Sequence, residues 1–204
     1  LTSTDMGEFT TTQIGALNTT QVGALSGTQL GALTTTQVGV LSTTQIKALS
    51  ATAVSGLDAT QMGGLTTTQM GALTAAQLRG LTTTDMGELT STQVSGLTTT
   101  QVGALTATNV SALNATQVGA MSTTQVRGLT TAQLGGLTTT DFGEFTATQV
   151  GSLTSAQFGS LSATVISSFD ATQMAGLTTT QVAGLSRTQL SGLTTTDMGE
   201  FSTT

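Results

Sequence analysis

Eight of the ten acidic residues in the chain form four pairs, in which an Asp stands three residues before a Glu. Carboxylates, together with nearby Thr hydroxyls and Gly carbonyls, are oxygen ligands of the kind that calcium binds. Two carboxylates are too few for a calcium cage, so no metal-ligating residue is assigned. The pairs are predicted to be solvated and to spread negative charge, with a weak calcium site as the alternative. The pairs are Asp5/Glu8, Asp85/Glu88, Asp141/Glu144 and Asp197/Glu200.

Catalytic chemistry has no support in the residue types. The chain contains no His and no Cys, and its many Thr residues have no general base beside them. Glycines recur singly and do not cluster as in a phosphate-binding loop. We therefore expect a protein that is not an enzyme, with no catalytic residue, no cofactor-binding residue and no cofactor.

The composition of the chain argues against nucleic acid as a partner and against a membrane span. A net charge of −6 with only four basic residues argues against nucleic acid. No apolar run approaches the roughly 20 residues of a membrane span. The chain starts without Met and stops within a repeated pattern, so we expect it to be part of a longer repetitive protein.

An eight-residue unit, the octad, repeats along the whole chain, and residues 65–72 (LTTTQMGA) show it well. Position one holds Leu, Phe or Met, and position six holds Val, Ile, Leu, Met or Phe. Position two is always Thr, Ser, Asn or Asp, and position five is mostly Gln. Asn109, Ala53, Val165 and four Asp residues depart from Gln at position five. All basic residues stand at position three or seven: Lys47, Arg79, Arg127 and Arg187.

The octad predicts a very short α-helix with a capping box. Position two holds N-cap residues, and Gln three residues later can accept from the N-cap backbone N–H. The apolar residues at positions one and six have the spacing of a hydrophobic staple. Position eight is small except at Val40 and the four Glu residues of the acidic pairs, which indicates that a neighbouring backbone comes close, and Gly at position seven suits a helix end. Such helices are unstable alone, so neighbouring octads must pack together.

The fold predicted is therefore a repeat solenoid, an all-α superhelix with one capped helix per octad. The alternative is a β-solenoid with octad rungs, favoured by abundant Thr and Val. In a continuous strand, however, positions one and six would lie on opposite faces. The helical core is expected at positions one and six, for example at Leu65, Met70, Leu73 and Leu78, with positions three and seven facing water.

A longer period groups the octads. Residues 49–104, 105–160 and, in part, 161–204 align as 56-residue repeats of seven octads. Changes in octad number that keep the octad phase are tolerated by solenoids, because each repeat contacts only its neighbours. We predict one continuous array of about 25 octads over residues 1–204.

The octad LTTTQVGA resembles the Leu-Thr-x-x-Gln-Val/Ile-x-Ala tracts of very large secreted bacterial surface proteins, often described as adhesins or haem-utilisation proteins. The resemblance implies a secreted, extracellular stalk or fibre on the cell surface. The chain itself has no His, Cys or Tyr, and its Met residues occupy core columns, so no haem ligand is expected.

Two classes of function follow. The first is an extracellular structural protein that forms a filament, fibre or adhesin stalk, through self-association or through flanking repeats of the same protein. Its ends are expected to be bare at Leu1, Met6, Met198 and Phe201. The second is a ligand-binding solenoid that takes calcium or, through flat rows of Thr in the β interpretation, ice.

Overall fold

The structure is a computed structural model of the chain and describes residues 2–201. Over these residues it contains 25 α-helices of four to six residues, one per octad, and no strand. The prediction of short helices is confirmed, and the β-solenoid alternative is not supported. Two compact units divide the chain, Leu1–Leu105 and Thr106–Thr204.

The helices of the first unit are α1 (Ser3–Glu8), α2 (Thr11–Gly15), α3 (Thr19–Gly23), α4 (Gly27–Gly31), α5 (Thr35–Gly39), α6 (Thr43–Ala48), α7 (Ala51–Val54), α8 (Ala59–Gly64), α9 (Thr67–Ala72), α10 (Ala75–Gly80), α11 (Thr83–Glu88), α12 (Ser91–Ser95) and α13 (Thr99–Ala104). Those of the second unit are α14 (Ala107–Ser111), α15 (Ala115–Gly119), α16 (Thr123–Arg127), α17 (Thr131–Gly135), α18 (Thr139–Gly143), α19 (Ala147–Ser152), α20 (Ser155–Gly159), α21 (Ala163–Ile166), α22 (Ala171–Ala175), α23 (Thr179–Ala183), α24 (Arg187–Ser191) and α25 (Thr195–Glu200).

The predicted capping box starts nearly every helix. In α9, for example, the Thr66 side chain accepts from the Gln69 backbone, and the Gln69 side chain accepts from the Thr66 backbone. Only α7 and α21 lack the reciprocal bond among the described helices, because Ala53 and Val165 replace Gln there. A cap contributes about 1 kcal/mol, which is substantial for a helix of one turn.

Glycine at position seven is the last residue of several helices, as expected, for example Gly15 in α2 and Gly31 in α4. No residue in the described range 2–201 has a positive φ, so no helix there ends in a left-handed glycine. Gly31 is also close to a neighbouring octad, because a Cβ added to it would lie 2.8 Å from the carbonyl oxygen of Gly56. At Gly80, in position eight, an added Cβ would clash with Ala51, because it would lie 2.7 Å from the Ala51 Cβ. Close packing between octads therefore explains these small residues.

Within each unit, a helix packs against the helix three places further along the chain. The first unit shows this from the α1–α4 pair to the α10–α13 pair. The second unit repeats it, for example between α16 and α19 and between α22 and α25. Three consecutive helices with their connections, called a coil below, therefore make one turn of a solenoid. The single continuous array over residues 1–204 stays a prediction.

Positions one and six form the core, as predicted. Leu65, Met70, Leu73 and Leu78 are all buried. In the second unit the aromatic residues join this core, and the rings of Phe142 and Phe145 stack with centroids 5.5 Å apart. The four basic residues at positions three and seven are exposed, which also confirms the prediction: Lys47, Arg79, Arg127 and Arg187.

The ends differ from the prediction at two residues, Met6 and Phe201. Met6 was expected to lie bare, but it is fully buried. Helix α1, which carries Met6, packs against α4 in the following coil. Met198 is exposed, in line with the prediction, whereas Phe201 is half-buried. Leu1 lies outside the described residues.

Candidate functional site

The contact between successive coils depends on the Gln at position five. Gln77 in α10 is buried, and its Nε2 donates to the carbonyl oxygens of Ile46, at 2.7 Å, and Leu49, at 2.8 Å. These carbonyls belong to residues 31 and 28 positions earlier, at the end of α6. The Gln77 Oε1 meanwhile accepts from the backbone N–H of Thr74. The side-chain amide of Gln77 thus caps the N-terminus of its own helix and binds carbonyl oxygens at the C-terminus of an earlier helix.

This bond recurs in both units. Gln93 donates to Met62 and Leu65 in the first unit, and Gln173 donates to Phe142 and Phe145 in the second. The sequence predicted only the capping role of Gln. The second role was missed because nothing in a row of similar octads reveals which earlier octad lies next to a given Gln in space.

The Asp residues of the acidic pairs occupy the same position five but cannot donate. Asp85 is buried, and its Oδ2 accepts from the Thr82 backbone N–H at 2.7 Å and from the Ser55 hydroxyl at 2.6 Å. Ser111 donates to Asp141 in the same way, and Ser167 donates to Asp197. The prediction of solvated carboxylates is therefore wrong for Asp85 and Asp197, which are both buried.

The three serine–aspartate bonds recur at intervals of 56 residues, the period found in the sequence. Each donor serine stands at position seven of an octad in which Gln is replaced at position five. Ala53 precedes Ser55, Asn109 precedes Ser111, and Val165 precedes Ser167 by two residues in each case. The two kinds of departure from the consensus octad are thus joined in space. Their fixed spacing of four octads was the available signal.

The Glu residues of the pairs, at position eight, lie in different surroundings. Glu8 is exposed, whereas Glu88 and Glu144 are half-buried. The Glu88 Oε2 atom is buried without a hydrogen-bond partner. Burial, followed by the charges of Asp85 and Asp58, raises the pKa of Glu88. Burial and Asp141 likewise raise the pKa of Glu144.

Hydrogen bonds act in the opposite direction on two Asp residues. The backbone N–H and then the side chain of Thr2 lower the pKa of Asp5. The Ser167 hydroxyl, followed by the Thr194 backbone, lowers the pKa of Asp197. Stabilised carboxylates of this kind are ionised and already satisfied by protein donors. The described part of the chain holds no group of three or more His, Cys, Asp or Glu residues that could bind a metal ion.

Two of the arginines also take part in contacts between coils. Arg79 donates through Nε to the carbonyl oxygen of Ala104 at 3.2 Å, and Arg127 donates to that of Ser152 at 2.8 Å. Both acceptors lie 25 residues later, at a helix C-terminus, where a positive charge also interacts favourably with the helix dipole.

Within each unit, these hydrogen bonds join one coil to another coil of the same chain. Among residues 2–201, no helix has the length and apolar character needed to cross a membrane.

Comparison with known families gives one result. A family model described as the ALTTAQ repeat matches residues 1–35, 38–75, 67–99, 79–115 and 110–147. No curated protein sequence matches the chain.

Proposed function

Because the chain belongs to the ALTTAQ repeat family, we propose that it is a structural repeat protein, the stalk or fibre of a secreted bacterial surface protein. It performs no catalysis. It acts as a spacer whose length is set by the number of octads. Flanking repeats or further copies extend it into a filament.

The observation that carries this proposal is the use of position five. In the buried Gln side chains, both the oxygen and the nitrogen of the amide form hydrogen bonds within the solenoid. The Oε1 of Gln69 accepts from Thr66, and its Nε2 donates to the carbonyl oxygens of Val38 and Leu41. A column occupied in this way supports length and stiffness and presents no group to a ligand. The extracellular setting is supported by the resemblance of the octad to tracts of surface proteins.

Electron microscopy of the native material tests the proposal. Thin fibres or rods are the expected result, together with loss of the protein when intact cells are treated with an external protease. Compact particles, or a protein protected until the cells are lysed, would contradict it. Far-UV circular dichroism of the isolated chain provides a control on the fold and should show the two minima of an α-helix.

Calcium binding is the second candidate, and the unpartnered Glu88 Oε2 beside Asp85 favours it. The measurement is thermal unfolding with calcium and with a chelator. A calcium-dependent rise in melting temperature that disappears in the Asp85→Asn, Glu88→Gln double variant would support a site. The Asp5→Asn, Glu8→Gln variant is the matched control, because that pair is exposed. Ice binding has lost its basis, since the described residues contain no flat β face.

A further inference from the structure

Three five-residue segments, called serine segments below, each precede an octad with an acidic pair. Each has Ser at position seven of one octad and Ala at position three of the next: residues 55–59 (SGLDA), 111–115 (SALNA) and 167–171 (SSFDA). The acidic octads that follow them are residues 81–88, 137–144 and 193–200. Ser95 and Ser191, the other serines at position seven, are followed by Thr at that place. Every such combination of Ser and Ala in the chain therefore precedes an acidic octad.

The serine of each segment supplies a hydrogen bond to the Asp of the acidic octad. The distances from Oγ to Oδ2 are 2.6 Å for Ser55 and Asp85, 3.0 Å for Ser111 and Asp141, and 2.6 Å for Ser167 and Asp197. An Asp at position five cannot donate to carbonyl oxygens as Gln does, and two of these three Asp residues are buried. A donor on the earlier coil is therefore needed, because a buried carboxylate that lacks donors is costly.

Position three of one coil lies opposite position eight of the next coil. A Cβ added to Gly96 would lie 3.2 Å from the Thr67 Cγ2, and a Cβ added to Gly136 would lie 2.9 Å from the Ala107 Cβ. A Thr at position three therefore directs its methyl group at position eight, whereas an Ala leaves the space of that methyl free.

The Ala of a serine segment lies opposite the Glu of the acidic octad in the same register. The pairs are Ala59/Glu88, Ala115/Glu144 and Ala171/Glu200. The helices that carry the first and third pairs pack against each other, α8 against α11 and α22 against α25. All three Glu residues are half-buried, and Glu is the longest side chain found at position eight. Ala thus leaves room for Glu where the methyl group of Thr would intrude.

We propose that the serine segment is the recognition site for an acidic octad in the next coil, with its Ser and its Ala as the specificity-determining residues. The Ser supplies the hydrogen bond that the Asp requires, and the Ala supplies the space that the Glu requires. The proposal rests on the structural function above and specifies what its acidic octads bind within the chain. An octad with Gln at position five and a small residue at position eight requires neither contact.

Building the site at a new place tests the proposal. The acidic variant, Gln69→Asp with Ala72→Glu, gives residues 65–72 the sequence of residues 81–88, LTTTDMGE. In the unaltered chain Gln69 is buried and donates to two carbonyl oxygens of the earlier coil. The earlier coil offers this octad no Ser at position seven and no Ala at position three, so the acidic variant should be destabilised.

The built variant adds Gly39→Ser and Thr43→Ala to the acidic variant and so places a serine segment at residues 39–43. An added Cβ at Gly39 would meet no neighbouring atom within 4 Å, so a serine fits there. Thermal unfolding followed by circular dichroism is the measurement. We expect the acidic variant to melt at least about 6 °C below the unaltered chain, and the built variant to recover at least about half of that loss.

A misplaced segment is the matched control. Lys47→Ser completes a serine segment at residues 47–51, one octad later, because Ala51 is already present. Added to the acidic variant, it should restore nothing. Gly39→Ser with Thr43→Ala in the otherwise unaltered chain should not raise the melting temperature, since an octad with Gln requires neither contact.

A second measurement at a native segment keeps the test open if the acidic variant does not fold. Ala59→Thr should lower the melting temperature by about 3 °C or more, because its methyl group takes the space of the Glu88 side chain. This loss should disappear in a Glu88→Ala background, since Thr opposite Ala occurs elsewhere in the chain. Ala75→Thr is the control, because Ala75 is equally exposed and lies opposite Ala104.

Four results would overturn the proposal. They are an acidic variant as stable as the unaltered chain, a folded acidic variant that the built segment does not restore, a misplaced segment that restores as much as the built one, and a loss from Ala59→Thr that is the same with and without Glu88. Fibres of native material in the electron microscope would still support the structural function in each case, and only the recognition site would be lost.

Discussion

Helices α10 and α11 are neighbours in the chain, and each contacts an earlier coil through a different kind of hydrogen bond. At position five, α10 carries Gln77 and α11 carries Asp85, both buried, and both accept a hydrogen bond from their own N-cap backbone. Gln77 then donates to two main-chain carbonyls of an earlier helix, whereas Asp85 accepts a hydroxyl from Ser55.

The difference shows that the group offered by the earlier coil decides whether Gln or Asp is tolerated at position five. An amide fits against any earlier octad, because every octad offers carbonyls. A carboxylate fits only where a donor such as Ser55 has been placed 30 residues earlier. Gln at position five is therefore compatible with any pairing of octads in successive coils, whereas each serine–aspartate bond is compatible with only one pairing. In an array of similar units, such bonds fix the register between coils.

Gln77→Glu should have the largest effect. The change keeps the capping oxygen but turns a donor into a buried negative charge that faces the carbonyls of Ile46 and Leu49. We expect the free energy of unfolding at neutral pH to fall by about 3 kcal/mol or more. Urea unfolding followed by circular dichroism measures it, with the exposed Gln13→Glu as control. Equal losses in the two variants would show that the carbonyl contacts carry no special weight.

Ser55→Ala should have the next largest effect. It removes the hydroxyl that donates to Asp85 and leaves a buried carboxylate with one donor fewer. The expected loss is about 1 to 2 kcal/mol in the free energy of unfolding, again from urea unfolding. Ser191→Ala is the control, because the Ser191 hydroxyl is exposed and bonds only within its own helix, to Thr188. Its loss should be below about 0.5 kcal/mol.

Glu88→Gln should stabilise the protein slightly at neutral pH. Because folding raises the pKa of Glu88, the folded state loses stability as the pH rises above about 4.5, the ordinary value for this group. The neutral amide avoids this loss, with a gain of about 0.5 kcal/mol after allowance for solvent screening. Thermal unfolding at acidic and neutral pH measures the gain, which should shrink on acidification. Glu8→Gln is the matched control, because Glu8 is the exposed member of the same column.

Ser167→Ala should have a clearer effect on the pKa of Asp197 than on the free energy of unfolding. The Ser167 hydroxyl is the main cause of the lowered pKa of Asp197, so its removal should move that pKa back up. The stabilisation from Asp197 exists above the ordinary pKa and disappears as the pH falls through the lowered one. Carboxyl NMR titration of the variant and the unaltered chain measures the shift. An unchanged Asp197 pKa would mean that Thr194 alone sets it.

Sequence reasoning reached the parts of the fold that are local. The capping box of Thr66 and Gln69, the buried staple of Leu65 and Met70, and the exposure of Lys47 all follow from contacts within one octad. Such contacts depend only on neighbours within four residues, where helix geometry is fixed.

Contacts between coils could not be reached in the same way. Gln77 has the same sequence environment as most other Gln residues, so nothing in it reveals Ile46 as the partner. The burial of Met6 and the packing role of Gly31 were missed for the same reason, since both depend on which octad lies next to them in space. The serine–aspartate pairs were visible only as two departures from a pattern.

The backward direction of the Gln bonds has a consequence for synthesis. Buried Gln residues at position five donate to carbonyls 28 to 31 residues nearer the N-terminus, as Gln45 does to Leu17 and Ile14. A ribosome that releases the chain N-terminus first therefore delivers each of these Gln donors after its carbonyl acceptors are already in place. The contacts are also short in sequence, which favours rapid folding. Such a chain can be secured one octad at a time during translation, without waiting for distant residues to appear.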